Sequence, residues 1–275
     1  MTQITIEKFN ELLNIKESYQ APAKLMEVLY DKPRREQLFK DFLEATDYDV
    51  NEDTFRQYFE DEHADRRITK QDFTPTSIAK LTRALVGDTN GSFYEGCAGT
   101  GSMTIQAWHQ DRMQHSPFDY KPSFYFYHVE EISDRAIPFL IFNLALRGMN
   151  AVVVHCDVLS RKAHGVFFIQ NDVDDHFKFS SINRMPYSKD IENLFAINFV
   201  DERYPDLLES PENLPHVANP PKKEVSVLTQ FVYALCGVSI TNTETYNEDV
   251  IEIDTLPAVS IMNAAETEPL QMTLF

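Results

Sequence analysis

Carboxylates stand at the ends of three apolar stretches in the middle of the chain. Glu95 follows SFY and enters a small-residue run, Gly96-Cys97-Ala98-Gly99-Thr100-Gly101, before helix-forming residues resume. Glu130 and Glu131 end FYFYHVEE, and Asp157 follows AVVVHC. Glycines in a strand-to-helix turn allow positive φ and let a ligand approach the backbone closely. A carboxylate at the end of a second strand can accept both hydroxyls of a ribose, and spacing alone does not choose between Glu130 and Glu131. The run is not a phosphate-binding P-loop, because no Gly-Lys-Ser/Thr follows, and it lacks G-x-G-x-x-G. Further on, Asn183, Pro186 and Tyr187 combine an amide, a rigid turn and an aromatic ring. His128, His155, Cys97 and Cys156 read as strand-end or buried residues, and no metal site is expected from them.

These residues need a scaffold that collects strand ends on one side. Helical spacing of apolar residues (Phe9, Leu12, Leu13, Ile15; then Leu25, Met26, Leu29, Tyr30) predicts helices through residues 1–70. From there the pattern predicts a helix over 76–87, a strand over 91–95, a helix over 101–113 and an aromatic strand over 123–131. A helix over 133–147 and a strand over 151–156 follow. Strands alternating with helices of this length imply βαβ units and a parallel sheet covered on both faces. Beyond residue 160, GVFFIQN and HFKFSSI read as strands and DIENLFAINFV as a short helix or strand. Residues 201–224 read as a linker or an ordered excursion.

Four segments between residues 71 and 160 stand in the order found in adenine-N6 DNA methyltransferases. The acidic entry to the Ala98-Gly99-Thr100-Gly101 turn is similar to the methionine-binding loop of class I methyltransferases, with Gly96 where family members usually have Pro. Phe73-Thr74-Pro75 ahead of a helix resembles the segment that covers the cofactor in that family. Read locally, Thr74 or Thr76 caps that helix and Pro75 lies in its first turn. Asn143-Leu144, Arg147-Gly148-Met149 and Asp157-Val158-Leu159 resemble the methylation subunits of type I restriction-modification systems. The resemblance implies a class I, Rossmann-like doubly wound α/β fold over 71–240, preceded by the helical region 1–70. It also implies S-adenosylmethionine as cofactor. Phe73, Thr74, Pro75, Glu95, Gly96, Ala98, Gly99, Gly101, Glu131, Asp157 and Val158 would hold it. The acid is followed by an apolar residue in the family, which selects Glu131, and Asp157 would accept the adenine amino group. Gly148 would be the left-handed residue ending its helix.

In that family a fourth strand leads into Asn/Asp-Pro-Pro-Tyr/Phe, whose amide engages the target amino group and whose ring stacks on the flipped base. Here Asn183 and Pro186-Tyr187 are separated by one residue too many, and alignment on Pro-Tyr puts Arg184, which cannot accept a hydrogen bond, in the amide position. Either Asn183 reaches the site through a bulged loop, or the chain keeps the fold without the chemistry. Asn219-Pro220-Pro221, followed by Lys222, reads as linker. The final residues, Gln271-Met272-Thr273-Leu274-Phe275, resemble the pentapeptide by which bacterial proteins bind the polymerase sliding clamp. That tail, 241–275, is expected to be acidic and flexible.

Charge complicates a nucleic-acid role. The 275 residues carry 25 basic and 43 acidic side chains, a net −18. From Lys189 onward 15 acidic residues face 4 basic ones, a net −11, which leaves −7 for the residues before it. A local basic face could use Lys32, Arg34, Arg35, Arg66, Arg67 and Lys70, although a solvated helical surface is the plainer expectation. The expected partner is therefore DNA with help from another subunit, together with the clamp. With no long apolar run, no leader-like start and three scattered cysteines, a cytoplasmic setting without membrane insertion is expected.

Overall fold

A computed structural model describes residues 4–55, 74–86, 91–210 and 214–218. The chain opens with three helices, α1 (Ile6–Leu13), α2 (Ala21–Leu29) and α3 (Lys32–Ala45). Their ends are set by local chemistry. The Thr5 hydroxyl accepts from the Lys8 N–H, Asn14 closes α1 in the left-handed region, and Asp31 caps α3 just ahead of Pro33. Next come α4 (Thr76–Val86), β1 (Ser92–Gly96), α5 (Ser102–Met113), β2 (Phe126–Glu131), α6 (Ile137–Leu146) and β3 (Ala151–Cys156). The expected aromatic strand begins later than its composition suggested, because Pro122–Phe124 forms a 3-10 turn.

The sheet order is β1-β2-β3-β4-β5, with β4 at Lys162–Gln170 and β5 at Ser181–Arg184. β1, β2 and β3 are mutually parallel, with Gly96 beside Glu130 and Glu131 beside His155. The expectation of a wholly parallel sheet is corrected beyond β3, since β4 returns antiparallel to β3 and β5 antiparallel to β4. A short β6 (Asn198–Phe199) pairs parallel with the start of β4, after α7 (Lys189–Phe195). HFKFSSI is therefore strand only from Ser181, whereas DIENLFAINFV holds both a helix and a strand. The architecture is α/β, mostly parallel and compatible with a Rossmann-like fold.

Alternation along β3 sends side chains to two cores. Ala151 and Val153 face one that contains α6, whose ten residues are all buried, as befits a helix apolar all round. Phe9, Phe39, Phe42 and Phe55 join this core against Phe139 and Phe142, with ring centroids 4.9 Å apart for Phe39–Phe142 and 4.8 Å for Phe55–Phe139. The helical N-terminal region thus shares one core with the sheet. Val152, Val154 and Cys156 face the other, which Ile191 of α7 and Val217 of the short α8 (Pro215–Ala218) help to cover.

Gly148 ends α6 with φ +65, and a Cβ there would collide with the Lys178 carbonyl. Residues 201–210 are an ordered excursion. Arg35, 1% exposed, makes a two-pronged pair with Glu209 at 2.7 Å per bond, and Glu209 also accepts the Ile182 N–H. Arg35 is therefore an internal tie and not part of a basic face. Arg34 pairs with Glu27 and Asp31, while Arg66, Arg67 and Lys70 lie outside the described residues. Among the described residues no helix is long and apolar enough to cross a membrane.

Candidate functional site

The carboxyl ends of β1, β2 and β3 carry the glycine loop, Glu131 and Asp157 respectively, so the fold brings these three sequence-predicted features to one edge of the sheet. In an open α/β sheet that edge is where ligands bind. The loop is held in an unusual backbone path, with positive φ at Cys97 (+64), Gly99 (+60) and Gly101 (+96). Gly101 caps α5 and accepts the Ile105 N–H, and a Cβ on it would stand 2.9 Å from Leu140 Cδ1. Ala98, buried, donates its N–H to the Glu130 carbonyl at 2.9 Å. Val158 leans on the loop entrance, its Cγ1 lying 3.5 Å from where a Cβ on Gly96 would be.

The two acids ending β2 have different duties. Glu131 Oε2 accepts the Gly99 N–H at 2.7 Å, while Oε1 accepts from Ile132 N at 3.0 Å and Ser133 N at 2.8 Å. Glu130 points to the other face, where Arg161 grips it with bonds of 2.6 and 3.0 Å. That pair, with His128, holds the Glu130 carboxyl down to about 2 against the opposing effect of burial. Arg161 also reaches the Phe195 and Ala196 carbonyls, tying the β3–β4 turn to the end of α7. Spacing left the two glutamates equivalent. The structure separates them, with Glu131 on the loop and Glu130 in an ion pair.

Asp157 closes its own turn, accepting from Leu159 N at 2.9 Å and the Ser160 hydroxyl at 2.7 Å, and these bonds lower its pKa. Glu95 is buried and accepts the Thr104 hydroxyl at 2.5 Å. Burial, with smaller pushes from Glu131 and Asp53, raises its carboxyl to about 7 despite the Thr104 bonds. Thr74 is half-buried and Pro75 exposed at the start of α4. The Pro75 carbonyl accepts from Ile78 and Ala79, so Pro75 precedes the helix instead of lying in its first turn. Phe73 lies outside the described residues, as do Gln271, Leu274 and Phe275.

Sequence reasoning missed Asp53. Its Oδ2 accepts the Thr100 hydroxyl at 2.5 Å and the Ser102 hydroxyl at 2.7 Å, and its Oδ1 accepts the Asn143 amide at 3.1 Å. Asn143 also donates to the Thr100 carbonyl at 2.8 Å. The strap around Asp53 is clamped by the same helices. Arg147 donates to the Val50 and Glu52 carbonyls, Gln106 to the Asn51 carbonyl and Arg112 to the Asn51 side chain. Asn143 and Arg147, noted in the sequence as part of a family-like segment, thus bind the N-terminal region. No local pattern could have revealed this, because Asp53 and Thr100 are 47 residues apart.

Asn183 and Tyr187 are not brought to the loop. β5 runs in the same direction as β1–β3, so Pro186 and Tyr187 leave at the same edge, but β2, β3 and β4 intervene. Four strand spacings amount to roughly 19 Å. Asn183 is 2% exposed, and its Oδ1 accepts the Glu209 and Ser210 N–H groups, each at 2.8 Å. The Tyr187 hydroxyl donates to the His164 carbonyl at 2.9 Å and accepts from Tyr204 N at 3.0 Å. Arg184 stacks over the Tyr187 ring at 4.6 Å. His155 is fully buried between the Tyr204 hydroxyl at 2.7 Å and the Ile132 carbonyl at 3.1 Å, and burial brings it down to about 4. The chain matches no protein-family model, no curated protein and no solved structure.

Proposed function

We propose that the chain binds S-adenosylmethionine across the carboxyl ends of β1, β2 and β3 and serves adenine-N6 methylation of DNA. The observation that carries this reading is the bond from Gly99 N–H to Glu131 Oε2, which joins the glycine loop and the ribose-type acid into one preformed shelf. The glycine loop would take the methionine portion, Glu131 a ribose hydroxyl through the free site on Oε2, and Asp157 with Val158 the adenine. Charge favours this ligand over a dinucleotide. A pyrophosphate binds at a helix N-terminus, and here the Asp53 carboxylate already stands at the start of α5. A sulfonium cation would be attracted where a phosphate would be repelled.

A second reading is that the chain binds the cofactor without itself transferring the methyl. The specific observation favouring it is that the Asn183 carbonyl oxygen is taken by two backbone donors. In this reading the protein works as a DNA-associated or clamp-bound regulator. Incubation with methyl-labelled cofactor and mixed genomic DNA, alone and with host extract, separates the two. Label in DNA from the purified chain supports transfer, and cofactor binding without label supports the second reading. No cofactor binding at millimolar concentration would remove both.

A further inference from the structure

We infer that the pocket between α2, the turn leading into α6 and the Arg203-Tyr204 stretch is a nucleobase site, with Tyr19 as its stacking surface and Asp134 beside Arg203 as its polar edge. The inference rests on the DNA reading above, to which it supplies a place for the base that Asn183 and Tyr187 do not provide.

The pocket has a volume of about 560 Å³ and is open to solvent. That is within the usual range for small-molecule sites and ample for a base with its sugar. Pro22 and Met26 of α2 and Pro138 of α6 give it apolar walls. The buried Tyr204 lines it too, with its hydroxyl turned away to His155. The walls are pinned separately. Tyr19 lies in the Ser18–Gln20 turn, which the Gln20 side chain braces by accepting the Lys16 and Glu17 N–H groups, each at 3.4 Å. Tyr30, ending α2, donates to the Pro205 carbonyl at 3.2 Å. The Tyr19 ring nevertheless stays 68% exposed, an aromatic face held at the rim of the pocket.

The polar edge has unused capacity. Asp134 is 69% exposed, and its Oδ1 accepts from Arg203 Nη1 and stands 3.3 Å from His155 Nε2. No donor among the described residues reaches its Oδ2. Arg203 Nη2 lies against Asp201 and His164 at 3.1 and 3.0 Å, and its Nε has no partner among the described residues. The charges of Asp134 and Arg203 offset each other, so the edge favours a neutral ring over an ion. An acceptor beside a donor matches a base that carries an amino group next to a ring nitrogen, as adenine does. Apolar walls and an exposed tyrosine suit the flat faces of such a ring. Asp134 is three residues from Glu131, at most about 11 Å of chain, and Ser133 between them donates to Glu131. A base in this pocket would therefore lie beside the cofactor shelf.

The test is saturation-transfer NMR of the full chain with adenine and with purine, which differ only in the amino group, in the presence and absence of saturating S-adenosylmethionine. The expected affinity is on the order of millimolar, with adenine bound about fivefold more tightly than purine and neither displaced by the cofactor. Tyr19→Ala should weaken both about tenfold, and Asp134→Ala should remove the preference for adenine. Both side chains are exposed, so melting temperatures should not change. No binding by the wild type, or affinities unmoved by Tyr19→Ala, overturns the inference. Equal binding of the two rings, or a preference that survives Asp134→Ala, overturns it as well. Displacement by the cofactor would put the base on the shelf, with the same consequence. A cofactor that does not bind removes the reading above, and the two variants then decide the pocket alone.

Discussion

The Gly99 N–H and the Glu131 carboxylate meet at 2.7 Å, so the loop after β1 and the acid ending β2 are one unit before any ligand arrives. The β1–β2 register that puts Gly96 beside Glu130 brings them within reach. Glu131 accepts three backbone N–H groups in all, from Gly99, Ile132 and Ser133, so of the four acceptor sites of a carboxylate the one left, on Oε2, can take a hydroxyl.

If the chain binds the cofactor as proposed, Glu95 should make that binding depend on pH. Its carboxyl sits near 7, raised chiefly by burial. Between pH 6 and 8 it ionises, so affinity for a cationic cofactor should rise across that interval. Glu95→Gln should flatten the profile when affinity is followed by titration at several pH values. A profile unchanged by the substitution would show that Glu95 does not face the ligand. The stability effect has the opposite sign, because the folded chain holds this proton more tightly than the unfolded one. Stability contributed by Glu95 is lost as pH rises from about 4.5 to about 7.

Asn183 is expected to matter for stability first. Removing its carbonyl strands the Glu209 and Ser210 N–H groups, of which Ser210 is buried. Asn183→Ala should therefore cost about 1–3 kcal/mol in urea unfolding. A variant of unaltered stability that has lost methyl transfer would return Asn183 to the chemistry.

How far these sites were legible follows from what each depends on. AVVVHC, the glycine loop and Gly148 announce themselves because β-branched runs and left-handed positions are local requirements. The direction of β4 is not local. Lys162–Gln170 could have been a parallel strand, but only five residues separate it from Cys156, and Asp157 closes that link as a turn. Too little chain remains for a crossover, which takes a dozen residues or more. That reversal places Asn183 on the far side of the sheet from the loop. Asp53 was hidden for another reason, since a polar Asn-Glu-Asp stretch reads as surface until α5 and α6 are packed against it.

His155 predicts acid sensitivity. Its Nε2 donates to the Ile132 carbonyl, so Nδ1 accepts the Tyr204 hydroxyl, and both nitrogens are satisfied in the neutral ring. The folded pKa of about 4 lies below the ordinary 6.5. The unfolded chain therefore binds the proton first, and stability falls as pH drops from about 6.5 to about 4. At most roughly 3 kcal/mol is involved. Thermal melts of His155→Gln should show a shallower loss over that window. An identical slope would assign the acid sensitivity to other groups.

The tail prediction concerns residues beyond those described. Gln271, Leu274 and Phe275 should bind a bacterial sliding clamp with an affinity on the order of micromolar, since a short peptide buries little area. Leu274→Ala with Phe275→Ala should abolish binding while leaving the melting temperature unchanged. A drop in melting temperature would show that the tail packs on its own chain. A wild-type chain that ignores its host clamp would show the likeness to be chance.

Calorimetric titration of S-adenosylmethionine into the wild-type chain and Gly99→Val tests the central claim most directly. Gly99 stands at φ +60 in the loop held by Glu131, where a β-branched residue is strained and its side chain would enter the ligand's space. The account predicts saturable one-to-one binding by the wild type and none by the variant. Absence of heat from the wild type at millimolar cofactor, or equal binding by both proteins, would contradict it.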